Sequence, residues 1–282
     1  MNGNINIEVI VNENTEDVSF KFSGHEEYDA TKNDLKLFNV NDEKLKKGVG
    51  VIFGREPDIV RCIKPAMWYR EEMYDKYNWR PSTKMITIKS VQLKSLTKRP
   101  IIVSKQKFEN NSKATVTVNT GLSHTVQNTL RTSWSSDHEV SFEQAFEYNI
   151  NLFVAKLQGT TKVGYKTNWG SRDEKSESVT IGTTNGAEIE LKPGQAVTAI
   201  LSANTIDLEA EVTYVMSLRH GLVAMYHKKY KNHSIWYLHI AKVLERGGFD
   251  NEITVKATMK FGYNIEGSLK QGLTSKRILT VF

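Results

Sequence analysis

Polar and apolar positions alternate along much of the chain after residue 104. From Ala114 to Trp134 the even positions include Val116, Val118, Leu122, Val126, Leu130 and Trp134, and the odd ones Thr115, Thr117, Ser123, Thr125, Gln127, Thr129 and Ser133. A period of two marks a strand with one buried face. The run is far longer than an average strand of about 5–6 residues, and a bulge near Gly121 would divide it. The pattern returns in Ile206, Leu208, Ala210, Val212, Tyr214 and Met216, and again in Ile253, Val255, Ala257, Met259, Phe261, Tyr263 and Ile265. These runs predict a mainly β, elongated architecture of long, twisted, mostly antiparallel strands. Pro57, Pro65, Pro81 and Pro100 precede this part, and Ile101 to Lys192 holds none. Proline removes a ladder donor and is excluded from central strands. The expected division is therefore a smaller, irregular α+β region over 1–104 and a β module over 105–282.

Between the long strands, residues 139–169 read as an amphipathic hairpin. Val140, Phe142, Phe146, Tyr148, Ile150 and Leu152 share one face of its first arm, and Leu157, Val163 and Tyr165 share the matching face of its second. Glu139, Glu143 and Glu147 lie on the opposite face, with Lys156, Lys162 and Lys166 from the return arm. Leu152-Phe153-Val154-Ala155 forms an apolar tip. With a loop over 153–156, Leu152 faces Leu157, Glu147 faces Lys162 and Glu143 faces Lys166, so opposite charges pair on one face. Each arm is long enough for a tilted transmembrane strand of about 9–11 residues. A single hairpin leaves its edges unpaired in lipid, whereas several copies closed into a barrel do not. Lipid would then meet the apolar face, the lumen would carry the glutamates and lysines, and Phe153 and Val154 at the tip would cross first. The same pattern also fits a half-exposed hairpin on a water-soluble sheet.

Composition narrows the classes. No apolar run reaches the roughly 20 residues of a spanning helix, which excludes an integral helical membrane protein. Aromatic residues at 10% and 38 Lys+Arg against 32 Asp+Glu argue against disorder. The net charge of +6 is spread along the chain and offers no basic groove for nucleic acid. Cys62 is the single cysteine, so no intramolecular disulfide forms. Met1 to Glu8 has neither a basic start nor a continuous apolar core, so no signal peptide is visible.

Other constellations are weaker. Trp68, Tyr69, Tyr74, Tyr77 and Trp79 concentrate aromatic rings among charges, and such amphipathic rings suit a sugar or a membrane interface as well as a packed cluster under a loop. They are the candidate receptor contacts. His220, His227, His233 and His239 match no compact metal-ligand spacing, so no metal is expected. Gly48-Val49-Gly50-Val51-Ile52-Phe53-Gly54 misses the GxGxxG spacing of a dinucleotide loop. No nucleophile or zinc-protease motif is present, and the expectation is a protein that is not an enzyme and needs no cofactor.

The order of features resembles a known family. A Thr/Ser-rich strand ends in Thr132-Ser133-Trp134-Ser135, the amphipathic hairpin follows, and then come Lys175-Ser176-Glu177-Ser178-Val179-Thr180-Ile181 and Leu191-Lys192-Pro193-Gly194-Gln195-Ala196-Val197. This is similar to the aerolysin-like β-pore-forming proteins over residues 105–216 and 250–266. Leu152 to Thr161 resembles that family's insertion loop, without a proline in the tip. The resemblance implies a soluble monomer, secreted or released, that binds an unknown glycan or lipid receptor through region 1–104. It then forms a homo-oligomer on the target cell membrane and inserts a β-barrel. A non-lytic binding, yolk or storage protein on the same fold is the alternative.

Overall fold

The computed structural model describes residues 3–12, 15–63, 71–136, 146–156, 159–274 and 278–280. Two strands, β1 (Gly3–Asn12) and β2 (Val18–Asp29), open the chain. Helices α1 (Lys32–Leu37) and α2 (Asp42–Phe53), strand β3 (Ile59–Arg61) and helix α3 (Glu71–Tyr77) follow. Then come β4 (Thr83–Glu109), β5 (Val116–Asn119), β6 (Leu122–Ser136), β7 (Glu147–Lys156), β8 (Gly159–Asn168), β9 (Glu174–Thr183), β10 (Glu188–Leu191) and β11 (Ala196–Arg219). The chain continues through β12 (Gly221–Tyr230), β13 (His233–His239), α4 (Ile240–Gly247), β14 (Glu252–Thr274) and β15 (Ile278–Thr280). The architecture is mainly β, as the alternation predicts.

Two compact units are woven from non-contiguous segments. One comprises Met1–Gln92, Trp134–Ser171 and Val212–Ala257, the other Leu93–Ser133, Arg172–Glu211 and Thr258–Phe282. The boundary expected at residue 104 does not describe these units, because β4, β6, β11 and β14 each run from one into the other. A strand long enough to serve two cores defeats a division read along the chain.

In the first unit the strand order is β8-β7-β1-β2-β4, beside a smaller sheet β13-β12-β3. Ile5, Ile7, Val9 and Val11 of β1 are all buried, so one face of this central strand is core. α1 begins with a capping box: the Thr31 hydroxyl accepts from the Asp34 N–H, and the Asp34 carboxylate accepts from the Thr31 N–H at 2.8 Å. The second oxygen of Asp34 receives Lys84 Nζ, from the start of β4, at 2.5 Å. Both residues are buried, at 5% and 7% exposure.

In the second unit the order is β4-β11-β14-β6-β9, with β5 and β10 paired separately. Leu122, Ile181, Ala199, Leu201 and Ala203 form its core, flanked by Ile101, Val103 and Val126. Ion pairs such as Arg99–Asp207 (3.0 Å) and Lys260–Glu209 (3.1 Å) are solvent-exposed, a setting worth about 0–1 kcal/mol each.

The division expected near Gly121 is present, and one other sequence expectation changes here. The alternating run 114–134 is broken at Thr120–Gly121, where the chain leaves the β10 ladder for the β9 ladder. A Cβ on Gly121 would lie 2.3 Å from the Thr184 carbonyl oxygen, so this crossing requires glycine. β4 also runs straight through Pro100, in the stretch expected to be irregular. Beyond residue 87 its ladder with β2 has ended and it is the outer strand of the second unit's sheet. An edge strand tolerates a missing donor.

Candidate functional site

The amphipathic hairpin exists and is docked in the first unit by one face. β7 and β8 pair antiparallel from Glu147↔Asn168 to Lys156↔Gly159. β7 also pairs in parallel with β1, from Asn6↔Asn149 to Asn12↔Ala155. Tyr148, Ile150, Leu152 and Val154 from β7 and Val163, Tyr165 and Thr167 from β8 are buried. Glu147, Lys162 and Lys166 are exposed on the other face. Phe146 is half-buried and stacks on Trp169 at 5.3 Å. The base of the hairpin is an aromatic knot: Trp134 meets Trp169 at 4.6 Å and Tyr214 at 5.4 Å, and Tyr148 meets Tyr214 at 6.4 Å. Trp134 Nε1 donates to the Ser171 carbonyl at 2.8 Å. The polar face is joined to its neighbour by Asn151 Nδ2, which donates to Asn6 Oδ1 at 2.9 Å.

The expected tip and register are corrected. Phe153 and Val154 are not at the turn but within β7, opposite Lys162 and Thr161. Val154 is buried, and Lys162 Nζ sits 5.5 Å above the Phe153 ring. Glu147 faces Asn168 rather than Lys162, and Leu152 faces Val163 rather than Leu157. Both registers place the same residues on the same faces, because they differ by an even number of residues, so burial of one face does not discriminate between them. The expected residues Glu139, Val140, Phe142, Glu143 and Leu157 lie outside the described residues, and the side chain of Lys156 is likewise not described.

A second candidate surface lies on the β12–β13 sheet. Tyr77 stacks on Trp79 at 5.0 Å, and Trp79 stacks on Tyr237 at 5.2 Å with planes 12° apart. Tyr77 is 51% exposed. Tyr74 is buried and meets Trp79 edge-on at 6.5 Å, so it supports the stack from beneath instead of facing solvent. Trp68 and Tyr69 lie outside the described residues. Sequence reading missed Tyr237, which β13 carries in from 158 positions beyond Trp79. Its signal was the alternation Ile235, Tyr237, His239. Gly221 lies under this ring, where a Cβ would come within 2.2 Å of Tyr237 Cζ.

Of the four clustered histidines, His220 and His239 line one concavity, while His227 and His233 lie elsewhere. His227 faces Asp58 and His233 packs edge-on against Trp236. Among the described residues no group of His, Cys, Asp and Glu could hold a metal ion. Cys62 is buried, and burial pushes its thiol up to about 11. His220 Nε2 lies 2.6 Å from Glu27 Oε1, and the Thr83 hydroxyl donates to the same carboxylate at 2.6 Å. Burial opposes the charge on Glu27, but the Thr83 hydroxyl, the His220 imidazole and Arg80 together outweigh it and hold the carboxyl below its ordinary value. A depressed carboxyl contributes stability above its unfolded-state pKa and loses it as pH falls through the folded one. Glu27→Gln is expected to lower stability at pH 7 and to differ less from the parent at about pH 3, because the contribution is lost as pH falls from the unfolded-state value through the lower folded one. Urea titrations at the two pH values measure this.

No helix among the described residues is long and apolar enough to cross a membrane. No family model matches the chain. U-megalopygitoxin(8)-Mc8 of Megalopyge crispata is 32% identical over 248 residues, covering 88% of this chain and 84% of that protein. U-megalopygitoxin(8)-Mo15 of Megalopyge opercularis is 25% identical over 262 residues, covering 93% and 82%. The fold is similar to that of the Bacillus thuringiensis toxin parasporin-2, with a TM-score of 0.56 at 14% identity over 91% of this chain and 100% of that one.

Proposed function

We propose that this chain, which belongs to the family of the megalopygitoxins and shares its fold with parasporin-2, is a non-enzymatic, aerolysin-like β-pore-forming toxin whose β7–β8 hairpin leaves its seat and inserts into the target membrane as part of an oligomeric barrel. The observation that carries this reading is the two-faced hairpin. Each arm has 10 residues, about 33 Å of strand at 3.3 Å per residue, which matches a tilted crossing of the hydrocarbon core. Its apolar face is already segregated against the body of the first unit, while Lys162, Lys166 and Glu147 stay in water.

The same division serves the barrel. Tyr148, Ile150, Leu152, Val154, Val163 and Tyr165 turn from protein to lipid, so apolar burial at about 25 cal/mol per Å² is exchanged between environments and not lost. The charged face turns to the lumen. Neighbouring copies satisfy the backbone groups that β1 satisfies in the resting state, as lipid requires.

The hairpin is also the chain's continuation of the β6–β9 pair, which is in register from Leu122↔Thr183 to Arg131↔Glu174. Even positions are inward in β6 and β7, and odd ones in β8. The alternation therefore stays in phase if the two ladders join into one longer hairpin. Tyr77 and Trp79 are the proposed receptor contacts.

The test is release of a self-quenching dye from vesicles made of target-cell lipids and membrane proteins, with gel detection of SDS-resistant oligomers. Neither leakage nor oligomers on any membrane would favour a non-lytic protein of the same fold. In single-channel recordings, Lys162→Cys and Lys166→Cys are expected to lose conductance on addition of a charged, water-soluble thiol reagent. Val163→Cys should be insensitive, because its side chain faces lipid.

A further inference from the structure

Beyond the last stacked ring, Tyr237, the row of rings continues by an edge-on contact with planes 67° apart. The Tyr237 ring meets the His239 ring at 6.1 Å, extending the row Tyr77–Trp79–Tyr237 by one more ring. The Tyr237 hydroxyl donates to the Arg80 carbonyl at 2.8 Å, which fixes the middle of the row. His239 is also a wall of a surface concavity of about 450 Å³, whose other walls include Arg219, His220, Lys242, Glu245 and Arg246.

Positive charge dominates this concavity. Arg219, Lys242 and Arg246 stand against Glu245 alone, and His220 is occupied by Glu27. Lys242 and Arg246 are one turn apart on α4, a like-charge spacing that is unfavourable by itself. Among the described residues neither forms an ion pair. No side chain caps the first turn of α4, which opens into the same concavity through Ala241 and Lys242. An oxyanion placed there would meet three cations.

We propose that the row of rings and the concavity together bind an acidic saccharide. Sugar units lie along the apolar edges of Tyr77, Trp79 and Tyr237, and a sulfate or phosphate substituent sits against Arg219, Lys242 and Arg246. Charge complementarity selects the anion. The rigid rings, apolar in body and polar at the tip, select a saccharide over a bare lipid head group, which has no stiff apolar face to lay on them. The proposal rests on the reading of Tyr77 and Trp79 as receptor contacts and gives that receptor its chemistry.

The experiment is calorimetric titration of the intact chain in solution, without membranes, so its outcome is independent of pore formation. The probes are a heparin tetrasaccharide, a phosphorylated oligomannose, neutral cellotetraose, inorganic sulfate, and phosphatidylserine vesicles. At least one acidic saccharide is expected to bind more tightly than cellotetraose and inorganic sulfate, and the stronger of the two identifies the substituent. Lys242→Glu is expected to weaken that saccharide and inorganic sulfate by about tenfold. Tyr77→Ala is expected to weaken the saccharide by about tenfold and leave inorganic sulfate unchanged. Both side chains are at the surface, and near-ultraviolet circular dichroism checks that the fold is intact. Cellotetraose binding equal to the acidic saccharides, saccharide binding indifferent to either variant, or attachment to phosphatidylserine vesicles without saccharide binding would each overturn the proposal. Failure of the pore reading is separate: it is absence of dye release at saturating protein from vesicles bearing the full receptor.

Discussion

Oxidised Glu8→Cys/Asn151→Cys protein, made with Cys62→Ser, is expected to bind target membranes and release no dye, and reductant is expected to restore release. Glu8 and Asn151 face each other across the parallel β1–β7 ladder and are half-buried. Neighbouring strands lie about 4.8 Å apart, within the separation a disulfide spans. The adjoining Asn6–Asn151 hydrogen bond shows that side chains on this face reach across the same gap. The bond ties the hairpin to a strand outside it, so the arms cannot leave as a pair. It also closes a long loop, which stabilises the resting state by about 4–5 kcal/mol. A control separates the two effects. Glu8→Cys/Lys21→Cys joins β1 to β2, across the antiparallel pair Glu8↔Lys21, and leaves β7 free. This control is expected to leak like the parent. Leakage from the oxidised β1–β7 variant would show that the hairpin is not the inserting element.

That experiment depends on β1, the element least visible in the sequence. Its alternation, Ile5, Ile7, Val9 and Val11, is plain once noticed, but a parallel partner more than 140 residues away carries no local signal. The hairpin's two faces were legible because the side-chain period of a strand is two and apolar residues at 148, 150, 152, 163 and 165 obey it. Its turn was not, since a slip by an even number of residues keeps every side chain on its face. The apolar run at 152–155 suggested a tip. In the structure Val154 is one more inward residue of β7, and the β7–β8 pairing runs on to Lys156↔Gly159. The resemblance over 105–216 rested on the order of features, which survives such slips, and the fold it implied is matched by parasporin-2. The aromatic platform was half legible. Tyr77 and Trp79 are close in sequence, whereas Tyr237 joins them only through the β12–β13 hairpin, and the cationic concavity is assembled from two separate stretches of chain. Pro100 misled because a proline forbids a central strand and not an edge.

Asp34→Ala is expected to lower stability by about 3–5 kcal/mol, the cost of leaving a buried charge without its partner. The substitution removes two things. One is the capping box at the start of α1, worth about 1 kcal/mol and measurable separately as Thr31→Ala, which keeps the carboxylate. The other is the counter-ion of Lys84, an ammonium that is 7% exposed and sits on a long strand at the entrance to β4. Desolvation makes such a pair a modest net stabiliser, but loss of either partner is severe. The double replacement Asp34→Leu/Lys84→Met, which removes both charges and keeps the volume, is therefore expected to be more stable than Asp34→Ala. Urea unfolding monitored by tryptophan fluorescence measures all four proteins, since Trp79 and the Trp134–Trp169 knot belong to the same unit. If Asp34→Ala costs no more than Thr31→Ala, Lys84 finds water or another acceptor in the folded state, and the buried ion pair does not hold α1 to β4.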